Sequence, residues 1–151
     1  GVITTLNENT GESSIKDGMD MALCVFDFNA GKLEFAGANN PILLVRENKL
    51  IKYKGDRFPI GAFEGKKPQL FTNTEIDLAE GDTVYLFSDG YADQFGGPKQ
   101  KKFMSMQLKE TLVAMSGQPM LKQGERLNEI FEEWRGDSPQ VDDVRLIGVR
   151  Y

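Results

Sequence analysis

Histidine is absent from the 151 residues of the sequence, and cysteine occurs once. Without histidine, these residues cannot form a Ser-His-Asp or Cys-His catalytic site, or a histidine-ligated zinc site. The single cysteine, Cys24, lies in the apolar run 21–28, a position typical of a small buried core residue. Any metal chemistry in this chain must therefore use oxygen ligands.

Basic clusters and long apolar runs are also missing. The net charge is −5, and the most basic stretch is 99–102, which we interpret as the solvated start of a helix. This charge argues against nucleic acid or an anionic membrane as a general partner. No apolar run approaches the length of a membrane span, and the first residues do not read as a signal peptide. We expect a cytoplasmic location.

The composition is that of one ordinary soluble domain, or most of one, with 40% apolar and 27% charged residues. The sequence opens on Gly1 and an apolar stretch, 2–6, that fits one face of a short helix. This opening looks like a cut into the middle of an element. We therefore expect residues 1–151 to be a single partial domain.

Periodicity predicts several strands, then two helices, then one strand, which is the α+β class. The first strand, 21–28, is apolar at alternating positions on both sides, which is typical of a strand covered on both faces. The predicted strands are 21–28, 33–36, 42–45, 50–53, 70–78, 83–87 and 141–150, and the predicted helices are 104–115 and 127–134.

The strand 83–87 ends abruptly at Ser88-Asp89-Gly90. Such a sequence delivers a carboxylate to the edge of a sheet, and the glycine lets the backbone turn and leaves room for a close neighbour. A hard cation such as Mg²⁺ prefers carboxylate oxygens, with water in its remaining positions. The alternative is an ordinary Asp-Gly turn after a strand.

A second acidic pair, Asp142-Asp143, comes before the last strand. If this strand lies antiparallel beside 83–87, then Asp89 and Asp142 converge at one edge of the sheet. Two carboxylates at one edge repel each other unless a cation or a proton neutralises them. The pair is therefore a candidate divalent-metal site, and an exposed Asp-Asp turn is the alternative.

Five motifs in order give the chain a resemblance to a known family. They are 33–41, 59–61, 78–82, 86–90 and 140–144. Together they resemble the C-terminal two-thirds of a metal-dependent serine/threonine protein phosphatase of the bacterial SpoIIE/RsbU kind, a relative of type 2C phosphatases (the PPM class). The run 91–97 is similar to the variant often attached to bacterial sensor modules.

The resemblance implies a sandwich of two antiparallel sheets flanked by helices. It also implies two Mn²⁺ or Mg²⁺ ions at the sandwich edge, which serve to dephosphorylate phosphoserine or phosphothreonine on a bacterial signalling protein. By position, Asp89 and Asp142 become metal ligands, and Gly90 allows the close turn. Asp143 and Asp93 become supporting residues outside the metal ligands.

One departure from the family is plain. The family's first metal motif, an aspartate followed shortly by Gly-His-Gly, is absent, and Asp17-Gly18-Met19-Asp20 lies where the family has ordinary strand residues. We therefore expect a fold that is incomplete at its N-terminus and a chain that by itself is inactive or nearly so and binds metal weakly or not at all. We also expect that it dimerises to cover apolar surface.

By family analogy, the parent protein acts on a phosphorylated regulator, such as one of the anti-sigma-antagonist type, and carries an upstream sensor, which could be membrane-bound. The alternative is a non-catalytic interaction module that keeps the phosphatase fold. Retention of both Asp89 and Asp142 favours the enzyme, because a module that only binds has no need of acids at both positions.

Overall fold

The computed structural model describes residues 18–61 and 70–151, which form nine β-strands and three α-helices. The helix expected at 2–6 lies outside these residues. The strands are β1 (Met21–Asp27), β2 (Lys32–Ala38), β3 (Ile42–Arg46), β4 (Lys49–Tyr53), β5 (Thr74–Asp77), β6 (Thr83–Phe87), β7 (Phe95–Gly96), β8 (Lys101–Lys102) and β9 (Leu146–Arg150). The helices are α1 (Gly90–Asp93), α2 (Ser105–Ala114) and α3 (Met120–Arg135).

The chain divides into two compact units. Among the described residues, the first unit holds 18–41, 53–61 and 70–78, and the second holds 42–52 and 79–151. Both units consist of antiparallel strand pairs, and the second adds the helices. The α+β class expected from the sequence is confirmed.

The first unit is built on a three-stranded sheet of order β1-β2-β5. β1 and β2 form a hairpin whose turn is closed by Asp27, since its Oδ1 accepts hydrogen bonds from the N–H groups of Asn29 (3.0 Å) and Ala30 (2.9 Å). Gly31 follows with φ of 63°, a left-handed conformation that glycine adopts at little cost. The turn residues therefore set the register of the hairpin.

One face of this sheet carries the large buried side chains of the unit, which are Leu33, Phe35 and Ile76. Alternate apolar residues of β1 are exposed instead, namely Met21 at 36%, Leu23 at 53% and Val25 at 57%. The expectation that β1 is covered on both faces is wrong, because apolar composition alone does not say what packs on each face. Cys24, expected in the core, is half-buried.

The second unit contains a four-stranded sheet of order β4-β3-β6-β9, with β6 antiparallel to both β3 and β9. Helices α2 and α3 contribute to its core through residues spaced four apart, as the helical periodicity predicts. The core combines Leu43, Val45 and Tyr85 from the strands with Leu108, Leu112, Leu127 and Phe131 from the helices. Met104, the first residue of the predicted helix 104–115, precedes α2 and is 59% exposed.

Three segments differ from the prediction. β5 begins only at Thr74, because the Thr72 N–H donates to the Asp56 carboxylate (2.7 Å) and not to a neighbouring strand. β9 begins at Leu146, so 141–145 is irregular. Residues 101–102 form a strand of the small β7–β8 hairpin, so the helix start expected at 99–102 is wrong. No helix in the described part of the chain is long and apolar enough to cross a membrane.

Candidate metal centre

Asp89 stands at the junction between β6 and the short helix α1. β6 ends at Phe87, and Asp89 is the residue that precedes α1. Its backbone C=O accepts the N–H of Asp93 (2.9 Å), which closes the single turn of this helix. Its side chain makes no capping hydrogen bond, and the residue is exposed. The Asp89 carboxylate at the end of the strand therefore does not cap the helix that follows it.

The segment that carries the second acidic pair lies beside this junction. β6 and β9 are antiparallel, with Phe87 opposite Leu146, as the convergence of the two acids requires. The ladder continues by one bond, because the Ser88 N–H donates to the C=O of Arg145 (2.9 Å). The C-terminal end of β6 and the residues before β9 are thereby held side by side.

Gly90 brings the two acidic segments into direct contact. A Cβ atom at this position would lie 2.4 Å from the carbonyl oxygen of Asp143 and 3.4 Å from the carbonyl carbon of Asp142. The first distance is shorter than real Cβ atoms show, so only glycine fits without a shift of the neighbouring backbone. The close neighbour for which the glycine makes room is the backbone carbonyl of Asp143.

The two carboxylates of the second pair differ in their surroundings. Oδ1 of Asp142 accepts the N–H of Asp143 (2.6 Å), and the C=O of Asp142 accepts Nε2 of Gln140 (2.8 Å). The Asp143 side chain is 84% exposed, with Arg145 at 3.9 Å as its nearest ion-pair partner. Asp142 therefore retains Oδ2 as a candidate ligand atom, while Asp143 contributes its backbone carbonyl to the junction with Gly90.

Asp93, expected as a supporting residue, is ion-paired. Its carboxylate accepts Nζ of Lys102 at 2.8 Å, and that ammonium lies 5.9 Å from the centroid of the Phe95 ring. The pair ties α1 to the β7–β8 hairpin. A supporting role for Asp93 stays a prediction.

The candidate ligand atoms are all carboxylate oxygens, the type of ligand that a hard divalent cation prefers. There are few of them. Within 18–61 and 70–151, no group of three or more His, Cys, Asp or Glu residues is placed to hold a metal ion. The described residues therefore show no complete cation site, and a role of Asp89 and Asp142 as metal ligands stays a prediction.

Tyr91 fixes the helix that follows Asp89. Its hydroxyl donates to the C=O of Leu127 in α3 (2.7 Å), and its ring packs edge-on against Phe103 at 5.2 Å between centroids. Burial raises the pKa of Tyr91 to about 12, so the phenol stays protonated and keeps donating. α1 is thus anchored to the core while Asp89 remains at the surface.

Sequence reasoning missed two residues that bind the acidic segments together, Ser88 and Gln94. The Ser88 hydroxyl donates to the C=O of Asp143 (2.7 Å) and accepts the N–H of Arg145 (3.0 Å). Gln94 is fully buried, and its Nε2 donates to the C=O of Pro139 (3.0 Å). The one signal in the sequence was their polarity within otherwise apolar or glycine-rich runs.

A comparison with protein-family models identifies the family. The family model described as "Stage II sporulation protein E (SpoIIE)" matches residues 1–151. A comparison with curated proteins found no match.

Solved structures agree on the fold. The SiaA-PP2C domain of Pseudomonas aeruginosa is 32% identical with a TM-score of 0.78, over 87% of this chain and 51% of that one. The phosphatase domain of the cell fate determinant SpoIIE from Bacillus subtilis is 17% identical with a TM-score of 0.63, over 87% of this chain and 57% of that one. The RsbU and RsbW domains of a Mycobacterium tuberculosis protein give 19% identity and a TM-score of 0.66, over 87% of this chain and 35% of that one.

These likenesses confirm the expected PP2C-like fold class, with antiparallel sheets and flanking helices. The chain spans about half the length of the SiaA and SpoIIE domains that it matches.

Proposed function

The chain belongs to the SpoIIE family, and on that premise we propose that its parent protein hydrolyses phosphoserine or phosphothreonine on a bacterial signalling protein. The observation that carries the proposal is the close approach of Gly90 to the backbone carbonyl of Asp143, which brings the two acid-bearing segments together. The relatives of known structure support it, since the SiaA match is a PP2C domain and the SpoIIE match is a phosphatase domain.

In this proposal, Asp89 and Asp142 hold Mn²⁺ or Mg²⁺, two ions in the intact domain. Bound ions of this kind supply an activated water and offset charge on the phosphoryl oxygens. Gly90 lets the two aspartates approach, and Asp143 and Asp93 support the site from outside the metal ligands. One Bacillus subtilis SpoIIE phosphatase-domain structure is described as presoaked with Mn, which is consistent with this choice of ion.

We further propose that the 151-residue chain by itself binds metal weakly and is inactive. Its described residues include no group of three or more His, Cys, Asp or Glu side chains placed to hold a metal ion, and the sequence has no histidine with which to form the family's Gly-His-Gly motif. An Asp-x-x-Gly-His-Gly run in the upstream sequence of the parent would supply the missing ligands. Its absence there would favour the alternative function.

The alternative is a non-catalytic interaction module with the phosphatase fold. Two observations favour it: the short supply of acidic ligands among the described residues, and the exposed stripe of Met21, Leu23 and Val25 on β1. The same stripe supports the proposal that the chain forms a homodimer, because a pairing of two such stripes would remove apolar surface from water.

The proposed partners and location follow from the family and the charge. We propose that the substrate is a phosphorylated regulator of the anti-sigma-antagonist type, acted on in the cytoplasm under the control of an upstream sensor. The net charge of −5 supports a protein partner over nucleic acid.

The test is hydrolysis of p-nitrophenyl phosphate by the intact parent protein with Mn²⁺. Asp89→Asn removes one anionic ligand at nearly unchanged volume, and we expect turnover to fall by about 100-fold or more, since metal ligands are central to such catalysis. The matched control is Glu80→Gln, an exposed carboxylate before β6, which should leave turnover unchanged. Unchanged turnover in Asp89→Asn would show that the assigned role is wrong.

A further inference from the structure

The residues 139–145, here named the acid loop, lie between α3 and β9 and have no helix or strand of their own. Such a segment owes its position to the bonds that other parts of the chain make to it. Asp142 lies in the middle of the loop. The distance between Asp142 and Asp89 therefore depends on the contacts that hold the two ends of the acid loop.

Ser88 holds the C-terminal end of the acid loop. In an antiparallel ladder, the two residues of a hydrogen-bonded pair exchange two backbone hydrogen bonds. Here the Ser88 N–H donates to Arg145, but the N–H of Arg145 returns its bond to the Ser88 hydroxyl (3.0 Å). The same hydroxyl donates to the C=O of Asp143 (2.7 Å). One side chain thus replaces a strand carbonyl and also bonds to the carbonyl of Asp143, the residue that follows Asp142.

Gln94 holds the N-terminal end. Its amide is fully buried, and Nε2 donates to the carbonyl oxygens of Pro139 (3.0 Å) and Phe95 (2.9 Å). Both partners are acceptors, so the nitrogen and not the oxygen of the amide must face them. The backbone around Gln94 is itself fixed, because its C=O accepts Nε1 of Trp134 (3.1 Å) and the N–H of Phe103 (2.9 Å).

Both holding side chains come from the seven-residue segment 88–94, which also carries Asp89. They form hydrogen bonds with the acid loop on either side of Asp142, at Pro139 and at Asp143 and Arg145. We infer that Ser88 and Gln94 are positioning residues that set the place of Asp142 relative to Asp89, and so determine the affinity of the site for a divalent ion. The inference rests on the proposed function for the identity of the ion.

The experiment measures two properties of the intact parent protein: Mn²⁺ affinity by titration calorimetry, and hydrogen exchange of the loop amides. Ser88→Ala removes both bonds of the hydroxyl. We expect the exchange of the Arg145 amide to accelerate and the dissociation constant for Mn²⁺ to rise by about 10-fold or more, the usual effect of losing a residue that orients a ligand. Ser88→Thr keeps the hydroxyl and should restore both values toward those of the wild type.

Two further variants sharpen the test. Gln94→Glu places a carboxylate oxygen opposite two carbonyls, so it should loosen the Pro139 end and weaken Mn²⁺ binding as Ser88→Ala does. Ser116→Ala is the matched control, because it removes a serine hydroxyl that donates to the Oδ1 of Asn48 (2.6 Å), away from the acid loop. Loop exchange and Mn²⁺ affinity should not change in that control.

The outcomes separate the two proposals. If Ser88→Ala folds and leaves both loop exchange and Mn²⁺ affinity unchanged while Asp89→Asn loses the metal, the positioning role is overturned and the proposed function stands. If Asp89→Asn also binds Mn²⁺ as the wild type does, the metal site itself is wrong. Should Ser88→Ala fail to fold, Gln94→Glu decides the positioning role by the same two measurements.

Discussion

Replacing Gly90 with alanine should damage both the fold and the metal centre. The added Cβ would lie 2.4 Å from the carbonyl oxygen of Asp143, where ordinary contact begins near 3.4 Å. One of the two segments must therefore move by about 1 Å. The obstacle is backbone, so no flexible side chain can turn aside to relieve it.

The size of the effect follows from two opposing terms. Alanine in a helix is favoured over glycine by roughly 0.5–1 kcal/mol. Forcing an extra methyl group into a packed site costs about 1–3 kcal/mol. The free energy of unfolding should therefore fall by about 1 kcal/mol, and by at most about 2.5 kcal/mol. A displacement of this size in a site that positions reacting groups can lower turnover by roughly 100-fold.

The assay is urea unfolding of the intact parent protein together with Mn²⁺ titration and turnover. Gly124→Ala in α3 is the matched control, since nothing lies within 4 Å of the position that its Cβ would take. That variant should be more stable by roughly 0.5–1 kcal/mol and keep full Mn²⁺ affinity. If Gly90→Ala matched Gly124→Ala in stability and metal affinity, the close approach of the two acidic segments would be refuted.

Two other predictions concern groups outside the metal centre. Burial acts to raise the pKa of Asp82, but hydrogen bonds from Arg46 and from the Ala79 N–H outweigh it and hold the pKa below its ordinary 3.8. The Asp82 carboxylate therefore contributes fully to stability above about pH 4, and this contribution is lost as the pH falls through the lower pKa of the folded protein. In Asp82→Asn, the urea midpoint should change less with pH over this acidic range than it does in the wild type. The same pH dependence in both proteins would contradict this role of Asp82. Burial raises the pKa of Cys24 to about 11, so its reaction with Ellman's reagent at pH 8 should be roughly 100-fold slower in the folded protein than in urea, and equal rates would contradict this.

Local pattern was enough to predict the strands and helices that repeat over several residues. Apolar and β-prone runs bounded by turn residues located β1 to β4 and β6, and four-residue spacing located α2 and α3. The β7–β8 hairpin was missed because strands of two residues have no period to detect. Residues 141–145 have strand-like composition, but the Arg145 N–H bonds to a side chain of the segment 88–94.

The residues of the candidate site were also only partly identified from the sequence. Asp89 and Asp142 were identified from their places at strand ends, and the antiparallel pairing of β6 with β9 agrees with that argument. Ser88 and Gln94 were not identified, because their partners are backbone groups about fifty residues away in the chain. A side chain that bonds to distant backbone leaves no periodic trace in the sequence.

The sequence by itself determined which chemistry is open to this chain: oxygen ligands only, and a family whose motifs occur in order from end to end. Those are properties of residue identity and local spacing. Only the tertiary structure decided that Gly90 makes room for a peptide, that Ser88 stands in for a strand carbonyl, and that Asp93 pairs with Lys102. The first two contacts join residues more than fifty positions apart in the chain, so they exist only once the strands have paired.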